Sequence, residues 1–263
     1  MTIVATDIGY RVGKHWLVQQ VDLTVSPGQM LAILGPNGAG KSTLFKMLTG
    51  EWPVSCGQVE FFGLPYTDWS ARDLAERRSV LPQHSSLTFP FTVEEVVALG
   101  RSAHRSGAAQ DRKIIAELIR LCDLQALRTR LYPWLSGGEK QRVQLARVLA
   151  QIWREVQSGP VAATQARYLF LDEPTSALDI AHQHGMLQLA KQLTAQGEGV
   201  IVILHDLNMA SAYADRVVIL DHGKVAGAGT VESVFQRDLI REIFGVTVEI
   251  IEHPERGKPW VIW

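Results

Sequence analysis

The hydrophobic pattern of the chain changes period several times. Residues 21–25 alternate apolar and polar, as a half-buried strand does, and Ser26-Pro27-Gly28 then turns the chain. Residues 30–34 form a short continuous apolar run, and similar runs recur at 168–171, 200–204 and 217–220. A strand covered on both faces needs no alternation, so these runs predict buried strands. Helix-like spacing separates them, at 41–48 after a glycine-rich loop and again at 180–193. Strands alternating with helices predict an α/β unit around a largely parallel sheet. From about 92 to 150 the pattern is mostly helical, with Glu117, Leu118, Leu121 and Cys122 at helical spacing. The expected organisation is a single domain over 1–263. Its core is 1–84 with 168–263, a helical subdomain at 85–150 is inserted, and 151–167 form a connecting surface loop. Residues 246–251 and 260–263 alternate like short strands, and Trp260, Ile262 and Trp263 are expected to pack on the core or on a second copy.

Composition narrows the partners more than the fold. The net charge is −1, so no global basic field attracts nucleic acid. Cys56 and Cys122 are the only cysteines, far apart and in no metal-ligand spacing, which suits a reducing compartment. The histidines show no ligand pattern, and His182 and His184 read as surface residues of a helix. The N-terminus lacks a signal-peptide pattern. The longest apolar runs are strand-length, whereas a membrane span takes about 20 residues. Membrane association is therefore expected to be peripheral.

Three motifs carry chemistry. Gly35-Pro36-Asn37-Gly38-Ala39-Gly40-Lys41-Ser42 matches G-x-x-x-x-G-K-[ST] between a buried strand and a helix. Glycines let the backbone curl so that N–H groups point inward at phosphate oxygens, and the helix N-terminus after the loop favours anions. Lys41 is expected on the β- and γ-phosphates and Ser42 on Mg²⁺. In the second motif, Asp172 closes the apolar run and is followed by Glu173 and Pro174. Alone, such a sequence is usually a solvated turn. At the C-terminal end of a parallel strand beside a phosphate loop, it reads as a cation-binding Asp and a water-polarising Glu. The third motif is Leu135-Ser136-Gly137-Gly138-Glu139. Ser136 and Glu139 form a capping box, and the glycines leave helix N–H groups open to an anion.

These three motifs stand in the order and spacing of the ABC ATPases, and the chain resembles that family over essentially its whole length. The resemblance implies a P-loop NTPase fold with an antiparallel β part near the N-terminus, and ATP with Mg²⁺ as its ligands. It implies a second copy of the chain, whose Ser136, Gly137, Gly138 and Glu139 complete the site in trans. The residues 35–42 and Thr43 would hold the nucleotide. Gln83 would link the subdomains and touch Mg²⁺ with Ser42 and Asp172, and Asp179 would lie near the partner copy. His205 would be the switch histidine, acting with Glu173, Lys41 and Gln83 in catalysis. Adenine would stack on Tyr10, with Trp16 a weaker match.

Segments 91–101 and 204–215 look like those of import subunits for iron chelates, vitamin B12 and haem. The long polar link at 153–167 is similar to that of haem-import subunits. The resemblance therefore implies an integral membrane permease dimer as partner and, indirectly, a periplasmic substrate-binding protein. It implies a place on the cytoplasmic face of the bacterial inner membrane. Haem is the favoured passenger, with a siderophore or cobalamin as alternatives. The rival class is a soluble ABC ATPase acting on nucleic acid or the ribosome. Its usual coiled-coil or zinc insert, or second ATPase unit, is absent from the sequence.

Overall fold

The structure, a computed structural model, describes residues 2–83, 87–154 and 166–263. The strands in chain order are β1 (Ile3–Val12), β2 (His15–Val25), β3 (Met30–Leu34), β4 (Cys56–Phe61), β5 (Leu64–Pro65) and β6 (Arg78–Leu81). They continue with β7 (Tyr168–Asp172), β8 (Gly199–Ile203), β9 (Arg216–Asp221), β10 (Lys224–Thr230), β11 (Glu249–Glu252) and β12 (Pro259–Ile262). The helices are α1 (Lys41–Leu48), α2 (Ala71–Arg77), α3 (Val93–Leu99), α4 (Ala108–Leu121) and α5 (Gly137–Ile152). After them come α6 (Ile180–Ala195), α7 (Leu207–Tyr213), α8 (Val231–Val234) and α9 (Arg237–Phe244).

An antiparallel sheet of order β2-β1-β4-β5 packs beside a six-stranded sheet of order β10-β9-β3-β8-β7-β6. In the larger sheet β9, β3, β8, β7 and β6 run parallel, and β10 joins antiparallel. Every residue of β3, β7 and β8 is buried, which is why their sequences show no alternation. The pleat still sorts them. Leu31, Ile33, Tyr168, Phe170, Ile201 and Ile203 face a core shared with α1 and the antiparallel sheet. Met30, Ala32, Leu34, Leu169, Leu171, Val200 and Val202 face the core shared with α5 and α6.

Register aligns the strand ends. Leu81 pairs with Leu171, and Ile203 is opposite both Asp172 and Ile33. The residues that leave the sheet at this edge are Gly35, Gln83, Glu173 and His205, so neighbouring strands deliver them to one place. This is the carboxyl edge of a parallel sheet, where such folds bind ligands.

Helices α3, α4 and α5 pack on one another, with Val96, Ile115, Leu118, Val143 and Val148 in their shared core. Buried Arg101 ties the turn between α3 and α4, donating to Asp111 at 2.8 Å and to the Ala150 carbonyl at 2.7 Å. Residues 155–165 of the long link lie outside the described residues. The ends of that link are fastened at Glu198, which is 3 % exposed. Its carboxylate pairs with Arg154 at 3.2 Å and accepts from the Arg167 backbone N–H. Burial raises the Glu198 carboxyl above its usual range, with Arg154 pulling it back.

Two sequence expectations change. His184 is not a plain surface residue: it is half-buried, and its Nδ1 lies 2.8 Å from the Tyr213 hydroxyl of α7. The β11–β12 hairpin forms, but it turns Val261 inward at 2 % exposure. Strand alternation then sends Ile262 outward, and the terminal Trp263 is 73 % exposed. Trp260 packs edge-on against His253.

Candidate active site

The loop between β3 and α1 is shaped by two close approaches. Gly35 has φ +142°, and a Cβ there would sit 2.2 Å from the Leu220 carbonyl oxygen. Gly40, with φ +98°, packs against the Leu17 carbonyl in the same way at 2.6 Å. Both positions require glycine. Helix α1 then starts with no capping side chain and no acidic residue in its first turn. Its free N–H groups and positive end are thus left for an exogenous anion. Lys41 is 6 % exposed, and its Nζ donates to the Gly35 and Pro36 carbonyls at 2.8 and 2.9 Å. Burial lowers its pKa, while Glu173 and Asp172 pull it back up. Ser42 and Thr43 are half-buried in the first turn.

Across the sheet edge, Glu173 adopts φ +48°, a left-handed conformation costly for a side chain with a Cβ. That turn aims its carboxylate at two partners. Gln83 Nε2 donates to Oε2 at 2.7 Å, and His205 Nε2 lies 2.7 Å from Oε1. Beside it, Asp172 is 4 % exposed, and its Oδ1 is buried without a hydrogen-bond partner among the described residues. Burial, reinforced by Glu173, raises its carboxyl to about 6. An orphaned buried carboxylate oxygen next to a phosphate loop fits an oxygen-seeking divalent cation. Among the described residues no three His, Cys, Asp or Glu converge as a metal cage.

Ser136 caps α5 as a full capping box: Glu139 N–H donates to its Oγ, and its own N–H donates to Glu139 Oε2 at 2.7 Å. The Ser136 backbone hydrogen bond holds the Glu139 carboxyl below its usual range. Glu139 thus serves the helix terminus, and Ser136 and Gly137 stay exposed. Among the described residues, no hydrogen bond joins Ser136, Gly137, Gly138 or Glu139 to Lys41, Asp172, Glu173 or His205. The start of α5 instead grips the backbone beyond Glu173. Gln141 donates to the Pro174 carbonyl at 3.1 Å, and a Cβ on Gly138 would lie 3.1 Å from the Ala177 oxygen. Gln183 holds the same segment from α6, donating to the Thr175 and Leu178 carbonyls. Sequence reasoning missed both glutamines. Their only signal is an amide at helical spacing from a motif. Asp179 caps α6, accepting from His182 N–H at 2.9 Å, and its Oδ1 lies 2.8 Å from His182 Nδ1.

Tyr10 is half-buried, with its ring centroid 5.0 Å from that of Trp52 beyond the C-terminal end of α1. Trp16 lies on β2, whose next residue, Leu17, touches the phosphate loop at Gly40. It is 39 % exposed, with the Arg11 guanidinium 5.6 Å from its ring centroid.

The sequence pattern of the ABC transporter family matches residues 18–176. The hemin import ATP-binding protein HmuV of Gloeobacter violaceus is 47 % identical, over 98 % of this chain and 92 % of the relative. The protein of the same name from Pseudomonas entomophila is 46 % identical over 95 % of each. Among solved structures, an ATP-binding cassette captured as a dimer in a post-hydrolysis state with ADP and Pi is similar at TM-score 0.73. It shares 25 % identity, covering 87 % of this chain and 98 % of that one. A putative metal-chelate type ABC transporter in an inward-facing conformation has the same fold, at TM-score 0.78 and 24 % identity, covering 99 % of this chain and 96 % of that one. The chain belongs to the ABC transporter family, as one of its ATP-binding, ATP-hydrolysing subunits.

Proposed function

We propose that this ATPase powers import of haem, or a related iron chelate, through a separate membrane permease. The carrying observation is the grip on Glu173 from both sides, by Gln83 and His205, at the sheet edge that also bears Lys41 and Asp172. The names of relatives at 46–47 % identity support haem as passenger. No helix among the described residues is long and apolar enough to cross a membrane. The expected site of action is the cytoplasmic face of the inner membrane, with a periplasmic binding protein delivering substrate to the permease. Residues 1–84 and 168–263 would act as the nucleotide-binding core and 85–150 as the helical lever.

Lys41 starts with its ammonium on the Gly35 and Pro36 carbonyls. A triphosphate in the loop takes over those hydrogen bonds, and the first turn of α1 receives its oxygens. Asp172, Ser42 and Gln83 would hold Mg²⁺, which when bound neutralises phosphate charge. Each carboxylate oxygen of Glu173 has one partner before nucleotide arrives and keeps a second lone pair with which to accept a hydrogen bond from water. The water oxygen then bonds to the γ-phosphorus as the bond to the β,γ-bridging oxygen breaks, giving ADP and phosphate. The exposed Ser136 and Gly137 would contact the γ-phosphate held by a second copy, closing a sandwich of two ATP molecules. Asp179 would lie at that junction. Trp16, beside the phosphate loop, is better placed than Tyr10 to receive the adenine.

Co-purification of the chain from membranes with its permease, followed by reconstitution with a binding protein, tests the reading. Haem should stimulate ATP hydrolysis in the vesicles. Stimulation by a siderophore or cobalamin instead would reassign the passenger. Stimulation by DNA or ribosomes without a permease would overturn the transport role.

A further inference from the structure

His205 is held in place through its neighbours on both sides in the chain. On its upstream side the Leu204 N–H donates to the Ile33 carbonyl at 3.2 Å, fixing the chain to β3. On its downstream side Asp206 caps α7, accepting from the N–H groups of Asn208 and Met209 at 2.7 and 3.0 Å. Helix α7 is only seven residues long, too short to hold itself in water. The two-stranded β11–β12 hairpin is equally marginal alone. The two pack on each other, while Leu207, Met209, Ala210 and Tyr213 of α7 also enter the main core. Asn208, in the first turn of α7, uses its whole amide on one residue of β12. Its Nδ2 donates to the Val261 carbonyl at 2.9 Å, and its Oδ1 accepts the Val261 N–H at 2.8 Å. The pairing imitates a strand neighbour. One turn later Ser211 Oγ donates to the Pro259 carbonyl, and Lys258 Nζ donates to the Ala214 carbonyl at 2.9 Å.

These bonds run along the whole of α7, and the Asn208 pair is the nearest of them to His205. The His205 side chain is 48 % exposed, so little packing of its own fixes its direction toward Glu173. Its orientation depends on where α7 begins, and the Asn208 pair ties that first turn to the hairpin.

We infer that Asn208 is a positioning residue for ATP hydrolysis, and that the C-terminal hairpin is a splint holding His205 against Glu173 through α7. The inference rests on the reading of His205 as a catalytic contact. It gives the C-terminal residues a role in turnover, whereas a merely structural role would affect folding alone.

The test is steady-state hydrolysis of MgATP by the full chain as wild type, Asn208→Ala, Val261→Pro, His205→Ala and the Asn208→Ala/His205→Ala double variant. Rates are normalised to nucleotide-binding sites, so that a misfolded fraction does not count. Val261 donates its N–H to Asn208 and not to β11, so proline there removes that bond without breaking the ladder. Asn208→Ala should lower kcat about tenfold, since an ångström of misplacement costs on the order of a hundredfold. KM for ATP should stay within about twofold, because the phosphate loop is untouched. Val261→Pro should move kcat in the same direction, and Asn208→Ala should add nothing in the His205→Ala background. Unchanged kcat in both Asn208→Ala and Val261→Pro, with His205→Ala strongly impaired, overturns the splint alone. The same fold-loss from Asn208→Ala with or without His205 overturns it too. Full activity in His205→Ala would remove the underlying reading and the splint with it.

Discussion

The Nε2 atom of His205 lies 2.7 Å from Oε1 of Glu173, while Gln83 holds Oε2 at the same distance from the opposite side. Three parallel strands therefore meet at one carboxylate, held in a left-handed turn at φ +48°. In the proposed reading the carboxylate would polarise water, and the other two would aim it. Glu173→Gln keeps the shape and loses the charge. Phosphate release should fall by about a hundredfold or more, the range of general-base contributions. ATP affinity should remain near wild type, and gel filtration with ATP should show a persistent dimer. Phosphate release near the wild-type rate would sink the assignment.

Lys41 bridges two carbonyls of its own loop. In the proposed reading its ammonium moves onto the triphosphate, and alanine takes that charge away. Lys41→Ala should weaken ATP binding by about tenfold or more, as expected for a charge-assisted contact. Calorimetric titration with ATP would check this, and an unchanged Kd would refute the role given to the loop.

Much of this site is legible in sequence because register carries it. Short apolar runs at 30–34, 168–171 and 200–204 predict buried parallel strands, and the residues after each run must then emerge at one edge. Gly35, the Asp172–Glu173 pair and His205 follow from that pattern. The capping box of Ser136 and Glu139 is equally local, because it depends on four consecutive residues. Long-range contacts are not legible. Nothing near Asn208 announces that its amide pairs with Val261, and nothing near Gln141 points to Pro174. The adenine side is hidden for the same reason. Tyr10 and Trp16 look alike as aromatics on a hairpin, and only packing shows that the ring of the former lies beside Trp52.

Asp172 carries a pH signature. Burial and the neighbouring Glu173 raise its carboxyl to about 6. Between about pH 4, where an unfolded Asp ionises, and pH 6, the folded chain keeps a proton that the unfolded chain has lost. Stability from this group is thus complete at low pH, falls as pH rises through that window, and stays lower above it. Asp172→Asn removes the charge. Without nucleotide or Mg²⁺, the variant should melt at a higher temperature than wild type above pH 6, with the difference vanishing below about pH 4. Saturating MgATP should reverse the order, because wild type gains more from ligand binding. Equal melting temperatures across the pH range would contradict the account of Asp172.

In the proposed reading the exposed Ser136 would complete the nucleotide site of a second copy. Ser136→Ala should cost about 1 kcal/mol of stability through the lost cap. That loss does not separate a structural role from a catalytic one, whereas mixed dimers do. Lys41→Ala destroys the phosphate-loop half of a site, and Ser136→Arg blocks the α5 half. When one copy carries Lys41→Ala and the other Ser136→Arg, both lesions fall in the same composite site, and the second site stays intact. When one copy carries both changes and its partner neither, each site receives one lesion. Differentially tagged copies, purified as heterodimers, should therefore retain ATP hydrolysis in the first arrangement and lose nearly all of it in the second. A site contained within one chain gives the opposite order, because the unaltered copy of the second arrangement would then remain fully active.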